Sequence, residues 1–406
     1  MSSFAICCIL CGDDSETWLW STSTLMKDEK PKPLRVMDAK HRSNIFSLAF
    51  SLDDQFAFSG GNDHHFYTHD IETGVKYFEF SARGSIHRVD SHPTTSNIVA
   101  VASEDRQLYL VDIREKDYTS AYAMGSPLYS VKYNPTIPEL ICVSMERNGC
   151  QVYDMRKMKE PYAVLKNSSN ATHCTWSPNG QKIAAVISGG CLSVYDSVYS
   201  TNVTFNDPEY QNQITMKSCL FMDDDTLLCG SDQWDIFAWK LSSDCEVKHV
   251  SDAYSILRGH RSIVNHIRYS SRNNLIVSSG VEKIVKCWSP FEMPECTRDP
   301  VRREVISSIP DSLMYNYAGH DDDTEEDLHT LHQFDYYLQR ANRDASMVQT
   351  LHSEHFGFLE TIHFLDLNWE ELSSLDSQDS SEDDPEEHEE MPLDEQATSD
   401  EETEDP

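Results

Sequence analysis

Positive charge is what this 406-residue sequence has least of. It holds 33 Lys and Arg against 68 Asp and Glu, a net charge of −35. A chain this acidic repels phosphate backbones, which excludes general nucleic-acid binding and favours basic protein partners. No cluster of five or more basic residues is present, so the sequence does not choose between nucleus and cytoplasm. Long apolar runs are missing too. The apolar start, Phe4–Cys11, is eight residues long and has no basic residue ahead of it, which argues against a secretory signal. Nothing approaches the ~20 apolar residues of a membrane span. The 12 cysteines follow no even framework: Cys7, Cys8 and Cys11 are close and the other nine are scattered. The expectation is reduced thiols in an intracellular protein, in the nucleus, the cytoplasm or both.

Chemistry-bearing motifs are equally scarce. There is no glycine-rich phosphate loop and no nucleophile elbow. The group Asp63-His64-His65 with His69 invites a metal reading, but a tight turn followed by a strand spreads these side chains over different faces. The sequence therefore predicts no catalytic residues, no metal and no cofactor.

The acidity that is present is unevenly spread. Residues 321–406 hold 29 acids and two bases, Arg340 and Arg343, a net of −27; the remaining 39 acids and 31 bases leave −8 for residues 1–320. From Asp376 to the end there are 16 acids and no Lys or Arg. Such a tail cannot bury a core and is expected to be disordered. Its Ser380, Ser381, Thr398 and Ser399 each have an acid three residues on, a pattern that suits acid-directed kinases. Between the two regions Leu328, Leu331, Phe334 and Leu338 are spaced as one apolar helix face.

The main body is a repeat. An apolar or aromatic residue near the end of a strand recurs at Trp20, His69, Val111, Tyr153, Tyr195, Trp239 and Trp288, in steps of 49, 42, 42, 42, 44 and 49. An acid stands six residues ahead of it at Asp14, Asp63, Asp105 and Glu282. Upstream of each full copy come an alternating strand (IFSLAF, LYSVKY, ATHCTW), a turn such as Ser177-Pro178-Asn179-Gly180, and a strand of small apolar residues (IVAVAS, IAAVIS). Short strands in units of this length imply four-stranded β-propeller blades, each stacking on its neighbours.

These units resemble WD repeats. Gly259-His260 and Trp288 fit that pattern at the start and end of the last copy. The resemblance implies a tetrad of His, Ser or Thr, turn Asp and Trp; His41 and Asp63 keep two members in one copy, while Val111, Tyr153 and Tyr195 replace the Trp. The fold class expected is all-β: a WD40-type β-propeller with seven blades, the first incomplete, then short helical segments and an acidic tail. Ile9–Ser21 matches only the second half of a repeat, and its first two strands would precede Met1. The alternative is a six-blade ring with an irregular N-terminal strand. The boundaries expected are 1–40 for a partial blade and linker, 41–290 for six complete repeats, 291–375 for a connector with short helices, and 376–406 for the tail.

Two copies end alike: Asp112-Ile113-Arg114 and Asp154-Met155-Arg156. A propeller delivers the end of every third strand to the same rim, so both arginines face one way from adjacent blades. Each guanidinium either pairs with its own Asp or reaches a partner's carboxylates and carbonyls. Consecutive Asp-x-Arg endings, with HRSNIFSLAF at His41–Phe50, SGGND at Ser59–Asp63 and SGVEKIVKCWSP at Ser279–Pro290, make the chain similar to the cullin-4-associated factors. That resemblance implies a non-enzymatic substrate receptor of a cullin-4 ubiquitin ligase. Asp112, Arg114, Asp154 and Arg156 would dock the adaptor, damage-specific DNA-binding protein one. The opposite rim, with turns Asn62-Asp63, Glu104-Asp105 and Ser231-Asp232, would hold a substrate protein. The second reading is a WD-repeat scaffold or chromatin- and histone-binding protein acting through its acidic tail.

Overall fold

The computed structural model describes residues 7–11, 15–25, 32–115, 119–196, 202–242, 248–282, 284–291 and 328–352. The acidic tail and most of the expected connector lie outside them.

Six antiparallel sheets follow one another along the chain as blades. Blade 1 is built from Ile45–Phe50, Phe56–Gly61, His65–Asp70 and Lys76–Ser81. Blade 2 uses Ile86–Ser91, Ile98–Ser103, Gln107–Asp112 and Thr119–Ala123, and blade 3 uses Leu128–Tyr133, Leu140–Met145, Gly149–Asp154 and Ala163–Val164. Blade 4 (Ala171–Trp176, Lys182–Ile187, Leu192–Asp196, Asn202–Phe205) gains His249–Val250 as a parallel outer strand. Blade 5 is Cys219–Phe221, Thr226–Gly230, Asp235–Lys240 and Ser255–Arg258; blade 6 has three strands, Val264–Ser270, Leu275–Gly280 and Lys286–Trp288.

Among the described residues the expected seventh blade is not formed. Cys7–Cys11, Thr17–Ser21 and Arg35–Val36 make a separate three-stranded sheet, with Cys7–Cys11 at one edge among the described residues. The architecture is thus an all-β propeller of six blades with this smaller sheet beside blade 1. Leu19 and Met37 pack on Ala57 and Ile71 there.

The core is a series of apolar layers between successive blades. Phe58, Phe66, Val89, Val101 and Val111 fill the space between blades 1 and 2. Leu108, Val131, Ile141 and Tyr153 do so between blades 2 and 3, and Val152, Cys174, Trp176 and Tyr195 between blades 3 and 4. Val194, Phe205, Phe237 and Trp239 join blades 4 and 5; Leu228, Ile236, Val264 and Ile267 join blades 5 and 6. Both faces of each inner strand are covered, which is why the strands read as near-continuous apolar runs. Among the described residues no such layer joins blade 6 to the N-terminal sheet.

Hydrogen bonding adds to this layering at two places. In blade 1 His41 Nδ1 lies 2.9 Å from Asp63 Oδ1, and His41 Nε2 lies 2.8 Å from Ser59 Oγ. Ser59 Oγ is in turn 2.9 Å from His69 Nε2. The tetrad is therefore complete, with His69 standing where the Trp would be. Blade 6 repeats it: His260 bonds Glu282 and, at 2.6 Å, Ser278, whose hydroxyl accepts the Trp288 indole N–H at 2.7 Å.

Five innermost strands share a β-bulge. The register shifts between Ile45 and Ser47, Ile86 and Arg88, Leu128 and Ser130, Ala171 and His173, and Val264 and His266. Each bulge sits at the same place in its blade, so the residues that follow it stand at one level around the centre.

Candidate protein-interaction rim

In an antiparallel blade the turn after the first strand and the turn after the third strand lie at the same end. That end is the rim on which Asp112-Ile113-Arg114 and Asp154-Met155-Arg156 emerge. The local chemistry is the same in both. The middle residue anchors the motif: Ile113 is buried in the layer between blades 1 and 2, and Met155 packs on the layer between blades 2 and 3. The aspartate then turns the chain by accepting the backbone N–H two residues on, at 3.1 Å for Arg114 and 2.9 Å for Arg156.

The side chains close into forks. Arg114 donates Nε to Asp112 Oδ1 at 2.9 Å and Nη2 to Oδ2 at 2.5 Å. Arg156 donates the same two groups to Asp154 at 2.9 and 2.7 Å. The guanidinium of Arg156 holds the Asp154 carboxyl down at about 2, and that of Arg114 lowers Asp112. The carboxylates raise both arginines in return. Both heads stay in solvent, 58% and 69% exposed. Each aspartate thus fixes a charged, planar donor group in one orientation on the surface. The sequence posed own-Asp pairing and partner contact as alternatives; the geometry makes the first and leaves the second sterically open.

The rest of this rim is apolar in a way the sequence did not single out. Leu52, Val75, Ile137, Tyr162, Tyr254 and Phe291 are all 46–72% exposed and all lie in its turns. Between the forks and the centre runs a groove of about 210 Å³, lined by Pro93, Pro135 and Pro178 from three successive turns, with Tyr133 and Trp176. Asp90 and Lys132 pair at its edge. Exposed apolar side chains gathered on one rim, mixed with fixed charge, suit a protein-binding face. Only the position of each turn, visible once the strands are paired, reveals it.

The opposite rim is different. Its turn acids hold the fold: Asp63 accepts the N–H of Arg42 at 2.9 Å, Asp105 that of Arg83 at 3.0 Å, and Asp232 those of Gln213 and Ile214 at 2.5 and 3.1 Å. Asp232 is fully buried against Lys217 Nζ at 2.5 Å, so the turn Ser231-Asp232 is not the exposed contact the sequence suggested. None of the exposed large apolar residues described in the six blades lies in the turns of this rim. Against it packs the first part of the helix Leu328–His352, through Phe334 and Leu338 on Trp234, Ile263, Ile214 and Val281. Among the described residues no group of three or more His, Cys, Asp or Glu could hold a metal ion, and no helix is long and apolar enough to cross a membrane.

Comparison with known proteins agrees with the repeats. The WD domain, G-beta repeat, matches residues 31–70 and 252–289, the two copies whose tetrads are complete. The chain is 30% identical over 357 residues to the DDB1- and CUL4-associated factor 5 of Mus musculus, and equally to that of Homo sapiens. These alignments cover 81% of this chain but 37% and 38% of the relatives, so the chain spans little more than a third of their length. The DDB1- and CUL4-associated factor 13 of Xenopus tropicalis is 21% identical, over 57% of this chain and 52% of its own. Among solved structures, the Cps50 (Swd1) β-propeller domain of Myceliophteria thermophila superposes with a TM-score of 0.59 at 14% identity, covering 72% of this chain and 96% of that domain.

Proposed function

We propose that this WD-repeat chain, similar over four fifths of its length to DDB1- and CUL4-associated factor 5, is a non-enzymatic substrate receptor of a cullin-4 ubiquitin ligase. The observation that carries the reading is the coincidence on one rim of the two arginine forks and six exposed apolar residues. Asp112, Arg114, Asp154 and Arg156 dock the adaptor DDB1, the forks supplying oriented donors and Ile137 and Tyr162 the apolar contact between them. The opposite rim, with the first part of the helix Leu328–His352 packed against it, presents the substrate protein. The protein works in the nucleus or the cytoplasm, where that ligase would meet it.

The test is capture of purified DDB1 by the intact chain and by Arg114→Ala/Arg156→Ala. Loss of capture by a variant of unchanged melting temperature supports the docking assignment. A chain that never captures DDB1, but loses basic partners such as histones when residues 376–406 are deleted, is a scaffold instead.

A further inference from the structure

The five bulges and one hydrogen bond define a ring of side chains at the centre of the propeller. Ser47, Arg88, Ser130, His173 and His266 each follow the bulge of their blade. Blade 5 supplies Ser218. Its hydroxyl accepts the N–H of Ile267, one residue past His266, at 3.1 Å; Ser47 accepts that of Val89, one past Arg88, at 3.0 Å. Read around the ring, the residues alternate: Ser, Arg, Ser, His, Ser, His. The three nitrogen bases come from blades 2, 4 and 6.

Two of the bases meet. Arg88 Nη2 reaches past blade 3 to His173 Nε2 at 2.5 Å. The His266 imidazole makes no hydrogen bond to another described residue, and Arg268 stands two residues further along its strand. Burial and the neighbouring arginines disfavour positive charge on each of these groups. Burial and the Arg268 charge bring Arg88 down to about 9, and burial with Arg88 and Arg268 brings His266 down to about 3. His173 is lowered by burial and by the same arginines. The carboxylate acting on Arg88 is Asp90, and it is already engaged by Lys132 and by the N–H of Tyr133 at 2.8 Å. A buried cationic group with no anion of its own is costly, and it is stabilised when an anion arrives.

We propose that this ring is a binding site for a phosphoryl group. Arg88, His173 and His266, one each from blades 2, 4 and 6, would each take one of the three terminal oxygens of a tetrahedral oxyanion. A planar carboxylate offers two. Ser47 and Ser218 use their oxygens to accept backbone N–H groups, which leaves each O–H to donate. Binding parts the Arg88–His173 contact, gives the Arg88 guanidinium an acceptor of opposite charge and gives the two neutral imidazoles an acceptor for their N–H groups. The site is separate from the arginine forks and does not depend on how the rim is used.

Isothermal titration of the full chain tests it, with inorganic phosphate and, separately, inositol hexakisphosphate as probes, in chloride buffers of matched ionic strength. The expected result is saturable one-site binding, weakened about tenfold or more by His266→Gln and by Arg88→Met. Tighter binding of the hexakisphosphate identifies a phosphoryl group carried on a larger molecule; equal or weaker binding identifies free phosphate. Should Arg88→Met fail to fold, His266→Gln decides, since it breaks no hydrogen bond to a described residue. Absence of saturable binding of either probe, or equal binding by parent and His266→Gln, overturns the proposal.

Discussion

Arg114 and Arg156, 42 residues apart on adjacent blades, make the same three hydrogen bonds, each to the aspartate two residues earlier. Both pairs are solvent-exposed, and neither is buried between blades. Exposed ion pairs contribute little to stability. Arg114→Ala/Arg156→Ala is therefore expected to leave the melting temperature unchanged, by calorimetry. A large drop would assign the forks to the fold and not to a partner.

The tetrads contribute to the fold. Ser278 joins His260 to Trp288, and Ser278→Ala leaves both rings without that partner in a buried site. The expected cost is about 1–3 kcal/mol in urea unfolding. Ser144, on the corresponding strand of blade 3, is buried with its hydroxyl unpaired among the described residues. Ser144→Ala should be neutral or stabilising, because it removes a desolvated hydroxyl that gains nothing.

Blade 5 replaces the tetrad with the buried pair of Lys217 and Asp232. Lys217→Met strands the carboxylate, and a loss of about 3–5 kcal/mol is expected from chemical denaturation. An unchanged midpoint would mean that the loop N–H groups of Gln213 and Ile214 alone satisfy Asp232.

Several histidines are folded in their neutral form. Burial brings His69 to about 3, His87 to about 4 and His266 to about 3, and it lowers His41, His92 and His173. The unfolded chain takes up these protons from about pH 6.5 downward, while the folded chain takes them up only near the lowered values. Stability is thus fully present above about pH 6.5 and falls as the pH drops toward 3–4. Melting curves across that range should show the decline beginning near 6.5; a flat profile down to pH 5 would contradict neutral burial.

Much of this was legible in the sequence. The fixed step from Val111 to Tyr153 to Tyr195 gave the blades, because a residue packed between sheets must recur at each sheet. The adjacency of Arg114 and Arg156 followed from the same ruler. Blade number did not, since Ile9–Ser21 carries the residues of a repeat but among the described residues pairs only as a three-stranded sheet. His69 hid a complete tetrad, because an imidazole can take the indole's place only if Ser59 is within reach. The central ring was invisible for a different reason: each bulge inserts one residue, and only the register shows that Arg88, His173 and His266 share a level. The apolar turns Ile137 and Tyr162 look like ordinary blade residues until the pairing puts them on one rim.

Adaptor docking by the forks remains a proposal until binding to DDB1 is measured directly. The most direct measurement is the affinity of purified DDB1 for the parent chain, Arg114→Ala, Arg156→Ala and the double variant, by biolayer interferometry. Each single substitution is expected to weaken binding, and the double variant to lose about tenfold or more, at unchanged melting temperature. Equal affinity of the parent and a well-folded double variant would contradict it.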